Sequence, residues 1–597
     1  MSRQTERLTS ERGPVGAPDE VCDVLVVGSG AGGLSTAVTA AEHGLRVTVV
    51  EKAGRCGGAT GWSGGWMWTP GNPFAKADGV DEDPKDGPRT YLESRLGENF
   101  RADKVDAYLE AAPDMVAFFQ TRTALQFTPG TWICDIYGKN PGAGTGHRSV
   151  GPKPVCKAAL SPRVRPLVQH QLYETSFLGM GIMAGPDLQG FLKAAQLGPK
   201  GFLHAVRRVI RHLADLAVHR EGQHLVNGTA LVARLLQSAC DRGVAIHVST
   251  PAVSLVQDES GRVRGAVVEG PQGTRFISAA KGVVLAAGGF PADRIRRTQA
   301  FPHGTGGDHL TLAPKTATGD GLHMGEWTGG HVDGSVASPV AWCPVSLVPY
   351  RNGRIGVFPH IMDRGKPGAI AVLRNGKRFV NEADGYHDFV LGMLAGIPEG
   401  EEVESWMIAD HTFQRRYPLG MSKPFPVPTA PYVRSGYLMK GDTLEELART
   451  CGIDADGLVE TVRAFNENAR QGVDPEFGRG DTPFNRYSGD PAVSPNPTLA
   501  PIETGPFYAV RVLPGSFGTF MGLETDASAR VLDEAGAPVP GLYAVGTDQA
   551  SVFGGHYPSG GINIGPAMVF GYVAGRHLAG AREPEVPMAE ALEAARS

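Results

Sequence analysis

The sequence lacks the usual signatures of metal, haem and disulfide chemistry. Its seven cysteines are scattered and odd in number, and no two of them form a C-x-x-C pair, so no zinc site, iron–sulfur cluster or c-type haem is predicted. Basic residues are not in excess either, since 57 lysines and arginines stand against 62 acidic residues, which argues against a nucleic-acid partner. No secretory leader pattern is recognisable and no run of about 18 apolar residues occurs, so we expect a reducing, cytoplasmic location.

Glycine, by contrast, is abundant, with 81 among 597 residues, and one cluster lies near the N-terminus. Residues 21–51 follow the order strand, glycine-rich turn, helix, strand, acid. The turn contains Gly28, Gly30, Gly32 and Gly33. Glycines at these positions allow a sharp turn and the close approach of a pyrophosphate to the helix N-terminus, and Glu51 can accept hydrogen bonds from a ribose. This unit predicts a dinucleotide-binding fold.

Three further segments favour FAD over NAD. Residues 57–65 form a second glycine-rich loop suited to a flat ring, residues 281–289 are a strand that runs into a glycine pair, and residues 541–548 are a strand that ends in an acid. The loop 57–65 contains no histidine, so we expect the FAD to bind non-covalently. Besides the turn and Glu51, the predicted cofactor contacts are Lys52, Gly58, Ala59, Thr60, Ser63, Gly64, Gly65, Ala287, Gly288, Asp320, Asp548, Gly561, Asn563 and Ile564.

The chain is too long for a single core, so two or more domains are expected. Residues 1–20 are polar and predict a disordered tail. We predict an α/β fold in which a Rossmann-type FAD-binding domain, residues 21–290 and 504–597, is interrupted by an α+β substrate or capping domain, residues 291–503. The substrate is then expected in the cleft between the two domains.

These segments together resemble the flavoprotein family of fumarate reductase, succinate dehydrogenase and 3-ketosteroid dehydrogenases, over residues 21 to about 580. The fumarate reductase branch uses one arginine to clamp a substrate carboxylate and another to deliver a proton. The corresponding positions here are Asn563 and Tyr386. Because both cations are missing, a dianionic substrate would lack its main partners.

The residues present instead resemble those of 3-ketosteroid 1-dehydrogenases. The late motif Y-P-x-x-G is matched by Tyr557 and Gly561, the tyrosine after R-F-x-N-E by Tyr386, and an earlier tyrosine before R-S-V by Tyr137. The resemblance implies desaturation of a cyclic ketone next to its carbonyl. The Tyr557 hydroxyl and the Gly561 N–H would hold the carbonyl oxygen.

In the same interpretation, Tyr386 removes the α-proton with help from Tyr137, and the β-hydrogen leaves as hydride to flavin N5. A phenol titrates near pKa ~10, so Tyr386 must have its pKa lowered or share its proton. Two alternatives remain: reduction of an activated alkene, as in fumarate reductase, and a flavin subunit that only passes electrons. An external electron acceptor is expected: a quinone, a carrier protein or oxygen.

The size of the ketone stays open. Ser559 and Gly560 depart from the Y-P-G-P-G of the steroid branch, so both a steroid-like substrate and a smaller cyclohexanone-type ring are possible. We expect a small apolar cyclic ketone.

Residues 201–217 have the periodicity of an amphipathic helix with a basic face. They predict either docking to a membrane surface or, as the favoured interpretation, a helix whose apolar face packs on its own protein.

Overall fold

The computed structural model describes residues 16–196, 198–581 and 586–596. Most of the predicted tail, residues 1–15, lies outside the described residues, and the first strand already begins at Glu20. None of the described helices is both long and apolar enough to cross a membrane. Within the described part of the chain, no group of histidine, cysteine and acidic side chains could hold a metal ion.

The strands are β1 (Glu20–Val27), β2 (Val47–Val50), β3 (Met67–Trp68), β4 (Phe127–Pro129), β5 (Ser149–Pro152), β6 (Val155–Cys156), β7 (His224–Leu225), β8 (Ala245–His247), β9 (Ala252–Gln257), β10 (Val263–Gly270), β11 (Gly273–Leu285), β12 (Leu310–Thr311), β13 (Val332–Asp333), β14 (Val340–Pro349), β15 (Ile355–Pro359), β16 (Ala369–Val372), β17 (Ser405–Ala409), β18 (Met439–Gly441), β19 (Phe507–Thr519), β20 (Gly522–Leu523), β21 (Arg530–Leu532) and β22 (Pro538–Ala544).

The helices are α1 (Ala31–Glu42), α2 (Pro73–Ala77), α3 (Gly87–Leu96), α4 (Ala102–Arg122), α5 (Pro186–Ala195), α6 (Pro199–His219), α7 (Asn227–Asp241), α8 (Arg294–Ala300), α9 (Asp320–Trp327), α10 (Tyr386–Gly396), α11 (His411–Arg416), α12 (Ala430–Arg434), α13 (Leu444–Cys451), α14 (Ala455–Gln471), α15 (Pro483–Ser488), α16 (Ile564–Ala579) and α17 (Met588–Arg596).

An eight-stranded sheet carries the predicted dinucleotide motif. Its main path runs β21-β22-β11-β1-β2-β8, and β1 pairs in parallel with both β2 and β11. The first strand is rich in valine and buried along most of its length, as expected for a central parallel strand covered on both faces. The C-terminal strand β22 joins the same sheet in parallel beside β11. The prediction of a mixed helix-and-sheet fold is therefore confirmed.

A seven-stranded sheet follows the path β15-β14-β19-β17-β16, with β12 and β18 also paired to β19. Most of its strands come from the segment predicted as a capping domain. Its central strand, β19, lies beyond residue 504. This strand pairs antiparallel with β14 on one side and with β17 on the other. The domain boundaries remain predictions, and any division of the chain would place β19 with this second sheet.

The amphipathic segment around residues 201–217 forms α6, but its apolar side does not pack inward. Phe202, Leu203 and Ile210 are 60%, 70% and 61% exposed. The polar side contacts the protein instead: Arg208 donates to Asp187 and to the carbonyl of Gly181. This differs from the favoured interpretation of the sequence.

Candidate active site

The glycine-rich turn after β1 forms a cradle that only glycine can build. Gly28 has a φ of +108°, and a Cβ there would lie 2.1 Å from the carbonyl oxygen of Ala286. A Cβ at Gly33 would lie 2.1 Å from the oxygen of Gly28. Helix α1 starts directly after Gly30, with no acidic residue in its first turn and no side-chain cap. A positive helix end without an acidic side chain fits the pyrophosphate of a dinucleotide.

The acid at the end of β2 is held in place by this turn. Glu51 accepts hydrogen bonds from the backbone N–H and the hydroxyl of Ser29 at 3.1 and 2.5 Å, and from the N–H of Ala53 at 2.8 Å. The next residue, Lys52, donates to Asp320 at 2.7 Å. Two residues predicted as separate cofactor contacts thus form an ion pair at the edge of the cradle.

The second glycine-rich loop packs against both α1 and the start of α7. The Thr60 hydroxyl accepts a hydrogen bond from the N–H of Ala31 at 3.0 Å, and the Ser63 hydroxyl accepts one from Gly65 at 3.1 Å. Gly65 has a φ of +74°, and its backbone lies against that of Asn227. Gly58, Ala59 and Gly64 lie in the same loop, which therefore adjoins the N-terminus of α1.

Asp548, one of the predicted cofactor contacts, joins three distant parts of the chain. Its carboxylate accepts hydrogen bonds from the N–H groups of Ala287 and Gly289 at 2.5 and 2.8 Å. A Cβ at Gly321 would lie 2.1 Å from Asp548 Oδ2. Burial raises the pKa of Asp548 to about 6. Together with Gly288, which has a φ of +97°, these residues complete a cradle that fits a long dinucleotide such as FAD.

Two tyrosines from different parts of the chain meet beside the C-terminal loop. Tyr386 is the first residue of α10, and Tyr557 lies in the loop before α16. Their ring centroids are 4.8 Å apart at an interplanar angle of 78°, and each side chain affects the pKa of the other. The Asn563 amide also donates to the Tyr557 hydroxyl, at 3.4 Å. Asn563 occupies the position of the carboxylate-clamping arginine of the fumarate reductase branch, and in this chain its amide contacts the Tyr557 hydroxyl.

The titration of the tyrosine pair is dominated by burial. Burial raises the pKa of Tyr386 well above its ordinary value, and the neighbouring Tyr557 raises it further. Burial also raises the pKa of Tyr557. The guanidinium of Arg364 acts in the opposite direction on the pKa of Tyr386, but it is outweighed. Of the two options for Tyr386, a lowered pKa is therefore not found, and a shared proton stays a prediction.

Gly561 presents its backbone in the same loop as Tyr557. It has a φ of +94°, and a Cβ would lie 2.7 Å from the carbonyl oxygen of Trp66, so glycine is required. Its carbonyl accepts hydrogen bonds from the N–H groups of Trp68 and Gly565, while no acceptor for its own N–H is found among the described residues. This N–H and the start of α16 at Ile564 are therefore free to meet a ligand.

Tyr137, the third predicted tyrosine, is engaged elsewhere. Its hydroxyl donates to both carboxylate oxygens of Asp388, at 2.8 and 3.0 Å. The guanidinium of Arg95 lies 3.5 Å from the centroid of the Tyr137 ring and 3.6 Å from Asp388. Asp388 lies two residues after Tyr386 on α10, so the link between Tyr137 and Tyr386 runs through this helix rather than through a direct hydrogen bond.

Sequence reasoning missed Asp388, Arg95 and His387. Burial raises the pKa of Asp388 to about 6, against the opposing effects of Tyr137 and Arg95. Burial lowers the pKa of His387 to about 3, so this imidazole is neutral. Its Nδ1 accepts a hydrogen bond from the backbone N–H of Trp342 at 3.2 Å. The only available sequence signal was the position of Asp388 and His387 directly after Tyr386.

A dinucleotide cradle next to buried tyrosines defines a flavin-dependent oxidoreductase. The chain belongs to the FAD binding domain family, whose model matches residues 23–564. It is 41% identical over 565 residues to the 4-oxocyclohex-2-ene-1-carboxylate 5-dehydrogenase of Sinomonas cyclohexanicum, covering 94% of this chain and 95% of that protein. It is 36% identical over 572 residues to the 3-oxosteroid 1-dehydrogenase of Mycolicibacterium smegmatis, covering 93% and 97%.

A solved structure supports the same assignment. The 3-ketosteroid delta1-dehydrogenase of Sterolibacterium denitrificans, crystallised with 1,4-androstadiene-3,17-dione, superposes with a TM-score of 0.86 at 34% identity, covering 94% of this chain and 100% of that one. The predicted resemblance, the FAD cofactor and the enzyme class are thus confirmed. The protein is an FAD-dependent oxidoreductase of the ketosteroid and cyclic-ketone dehydrogenase type. The roles of the individual site residues remain predictions.

Proposed function

We propose that the protein introduces a carbon–carbon double bond next to the carbonyl of a cyclic ketone, of 3-oxosteroid or cyclohexanone type. The observation that carries this proposal is the contact of the Tyr386 and Tyr557 side chains, with the Gly561 N–H in the same loop as Tyr557. These are uncharged donors, and two of them suit one developing enolate oxygen.

In this mechanism the ketone oxygen accepts hydrogen bonds from Tyr557 and Gly561, which makes the α-proton more acidic. Tyr386 takes the α-proton in its ionised, phenolate form after its own proton has been lost to solvent, while Tyr557 beside it keeps its proton for the ketone oxygen. Tyr137, held by Asp388, positions the start of α10. When bound, the FAD supplies the acceptor for the β-hydride, and its electrons then pass to an external acceptor such as a quinone, a carrier protein or oxygen.

One observation favours a substrate that carries a carboxylate. Arg95 places a cation against Tyr137, its side chain is 28% exposed, and its Nε is buried without a hydrogen-bond partner among the described residues. Guanidinium is a good partner for a carboxylate. The relative from Sinomonas cyclohexanicum acts, by its name, on a ring ketone that bears one.

The test is anaerobic titration of the purified enzyme with a 3-oxosteroid, with 4-oxocyclohexanecarboxylate and with succinate, while flavin absorbance is recorded. Bleaching by either ketone supports the proposal, and the more effective ketone defines the substrate class. Bleaching by succinate alone would favour the fumarate reductase type of reaction. An electron-transfer subunit without a substrate of its own would bleach with none of the three. Precipitation with acid should release the FAD if it is bound non-covalently, as we propose.

A further inference from the structure

The helical pair α5 and α6 presents an apolar surface to solvent. Its outermost part is the exposed apolar face of α6. That face consists of Phe202, Leu203, Ile210, Leu213, Leu216 and Val218. Leu178, which precedes α5, is itself 60% exposed, and its carbonyl accepts a hydrogen bond from His212 on the inner side of α6. Single exposed apolar side chains are ordinary on a protein surface, but six of them on one helix indicate a site of interaction.

The orientation of α6 is fixed by specific contacts of its polar side. His204 hydrogen-bonds to Asp187 at 2.8 Å, Arg208 donates to the same carboxylate and to the Gly181 carbonyl, and Asp215 accepts from the Gln223 N–H at 3.1 Å. An amphipathic helix in water normally buries its apolar side. Here the polar side is bound to the protein, so the apolar side is available to a partner.

The charge around this face identifies the partner. Between residues 186 and 220, six lysines and arginines stand against two aspartates, a net charge of +4 with histidine neutral, in a chain whose net charge is −5. Lys200, Arg207 and Arg211 are exposed and lie along one edge of α6, at spacings of seven and four residues. Apolar side chains bordered by a basic edge match the acyl region and the anionic headgroups of a bilayer.

We propose that the exposed apolar face of α6 docks on an anionic phospholipid surface, with the helix lying in the plane of the membrane interface. The chain is attached to this surface from one side, without crossing it.

Docking would bring the candidate active site close to the bilayer. The Asn227 amide donates to the Ile182 carbonyl at 3.0 Å, and the backbone of Asn227 lies against Gly65 in the predicted flavin loop. At the C-terminal end of α5, the Gln196 amide donates to Asp490, which follows α15, at 3.2 Å. An apolar ketone or a lipophilic acceptor concentrates in a membrane, so its path to the site would be short. This consequence rests on the proposed function, whereas the docking itself does not.

The test uses the FAD-loaded full-length protein in flotation with vesicles of phosphatidylcholine alone or of phosphatidylcholine with phosphatidylglycerol. We expect binding to the vesicles with phosphatidylglycerol, weakened by high salt. The double variant Leu203→Glu/Ile210→Glu should bind at least about tenfold more weakly, because two apolar anchors are lost. Lys200→Gln and Arg207→Gln should each weaken binding about fivefold.

Ile355→Glu is the matched control, since Ile355 is 61% exposed, as Ile210 is, but lies on a strand of the second sheet. It should bind vesicles like the wild type, and all variants should turn over a water-soluble ketone at the wild-type rate. Absence of wild-type binding, or equal binding by the double variant, would overturn the proposal. So would a wild-type dimer that Leu203→Glu/Ile210→Glu converts to a monomer in sedimentation, since the face would then join two copies of the chain.

Discussion

Replacing Tyr557 by phenylalanine isolates the contribution of one hydroxyl. The ring is 4% exposed and packs against Tyr386, Phe520 and His387, and all of these ring contacts survive in the variant. The variant loses the hydrogen bond that the hydroxyl accepts from Asn563 and the polar interaction of the hydroxyl with Tyr386. Leaving those partners unsatisfied should cost about 1–3 kcal/mol of the free energy of unfolding, so the protein is expected to fold and to bind FAD.

The effect on catalysis should be larger than the effect on stability. Loss of one oxyanion donor typically lowers kcat about 100- to 1,000-fold, or roughly 3–4 kcal/mol of transition-state stabilisation. The Gly561 N–H remains, so activity should not vanish. The appropriate assay is stopped-flow measurement of flavin reduction under anaerobic conditions at saturating ketone, which separates the chemical step from binding and from reoxidation.

Tyr543→Phe is the matched control for this experiment. Tyr543 is 7% exposed, lies on β22 rather than in the loop of Tyr557, and its hydroxyl hydrogen-bonds to His577 at 2.9 Å. It should lose similar stability while keeping wild-type flavin reduction. If Tyr557→Phe reduced its flavin within about twofold of the wild-type rate, the assignment of Tyr557 as the carbonyl-binding donor would be refuted.

Three further predictions concern the base, its support and the cofactor cradle. Because burial raises the pKa of Tyr386, only a small fraction of this side chain is ionised at neutral pH. The rate of flavin reduction should therefore rise about tenfold per pH unit above neutrality. A flat profile would exclude an ionised Tyr386 as the base. Asp388 has a pKa raised to about 6, so below that pH it takes up a proton and holds the Tyr137 hydroxyl more weakly. An additional loss of rate should appear below pH 6 and be absent from Asp388→Asn. Identical profiles would argue against this link. Gly28→Ala should yield protein without FAD, because the new methyl group would lie 2.1 Å from a backbone oxygen. The flavin-to-protein absorbance ratio measures this loss. The control variant Gly261→Ala, at a φ of +81° with open surroundings, should retain the cofactor.

The parts of this protein that follow from short stretches of chain could be predicted from the sequence. The order of β1, α1 and β2 is indicated by a valine-rich run, a glycine-rich turn and a second valine-rich run within about thirty residues. Tyr386 and Tyr557 could be singled out because each lies in a motif that resembles a known family. Their contact could not be derived in the same way, since more than 150 residues separate them.

The rest depends on how distant elements pack. Arg95 lies in the last turn of α3 and Asp388 in the first turn of α10, and no local pattern indicates that their side chains meet at Tyr137. The periodicity of α6 was visible, but periodicity only divides a helix into two faces. Which face turns inward was decided by Asp187 and by the carbonyls of Leu178 and Gly181, and these contacts have no signature in the helix itself.

The close packing of α1 against α16 has a consequence for the order of events during synthesis. A Cβ at Gly571 would lie 2.6 Å from the Gly32 carbonyl oxygen, and the Ser35 hydroxyl donates to the Met568 carbonyl at 2.7 Å, so the first helix is completed by residues more than 500 positions later. While the ribosome is still making the middle of the chain, the dinucleotide motif has no such neighbour. The cradle is therefore finished only after residues 568–571 have been made, so capture of FAD is expected to follow the synthesis of α16.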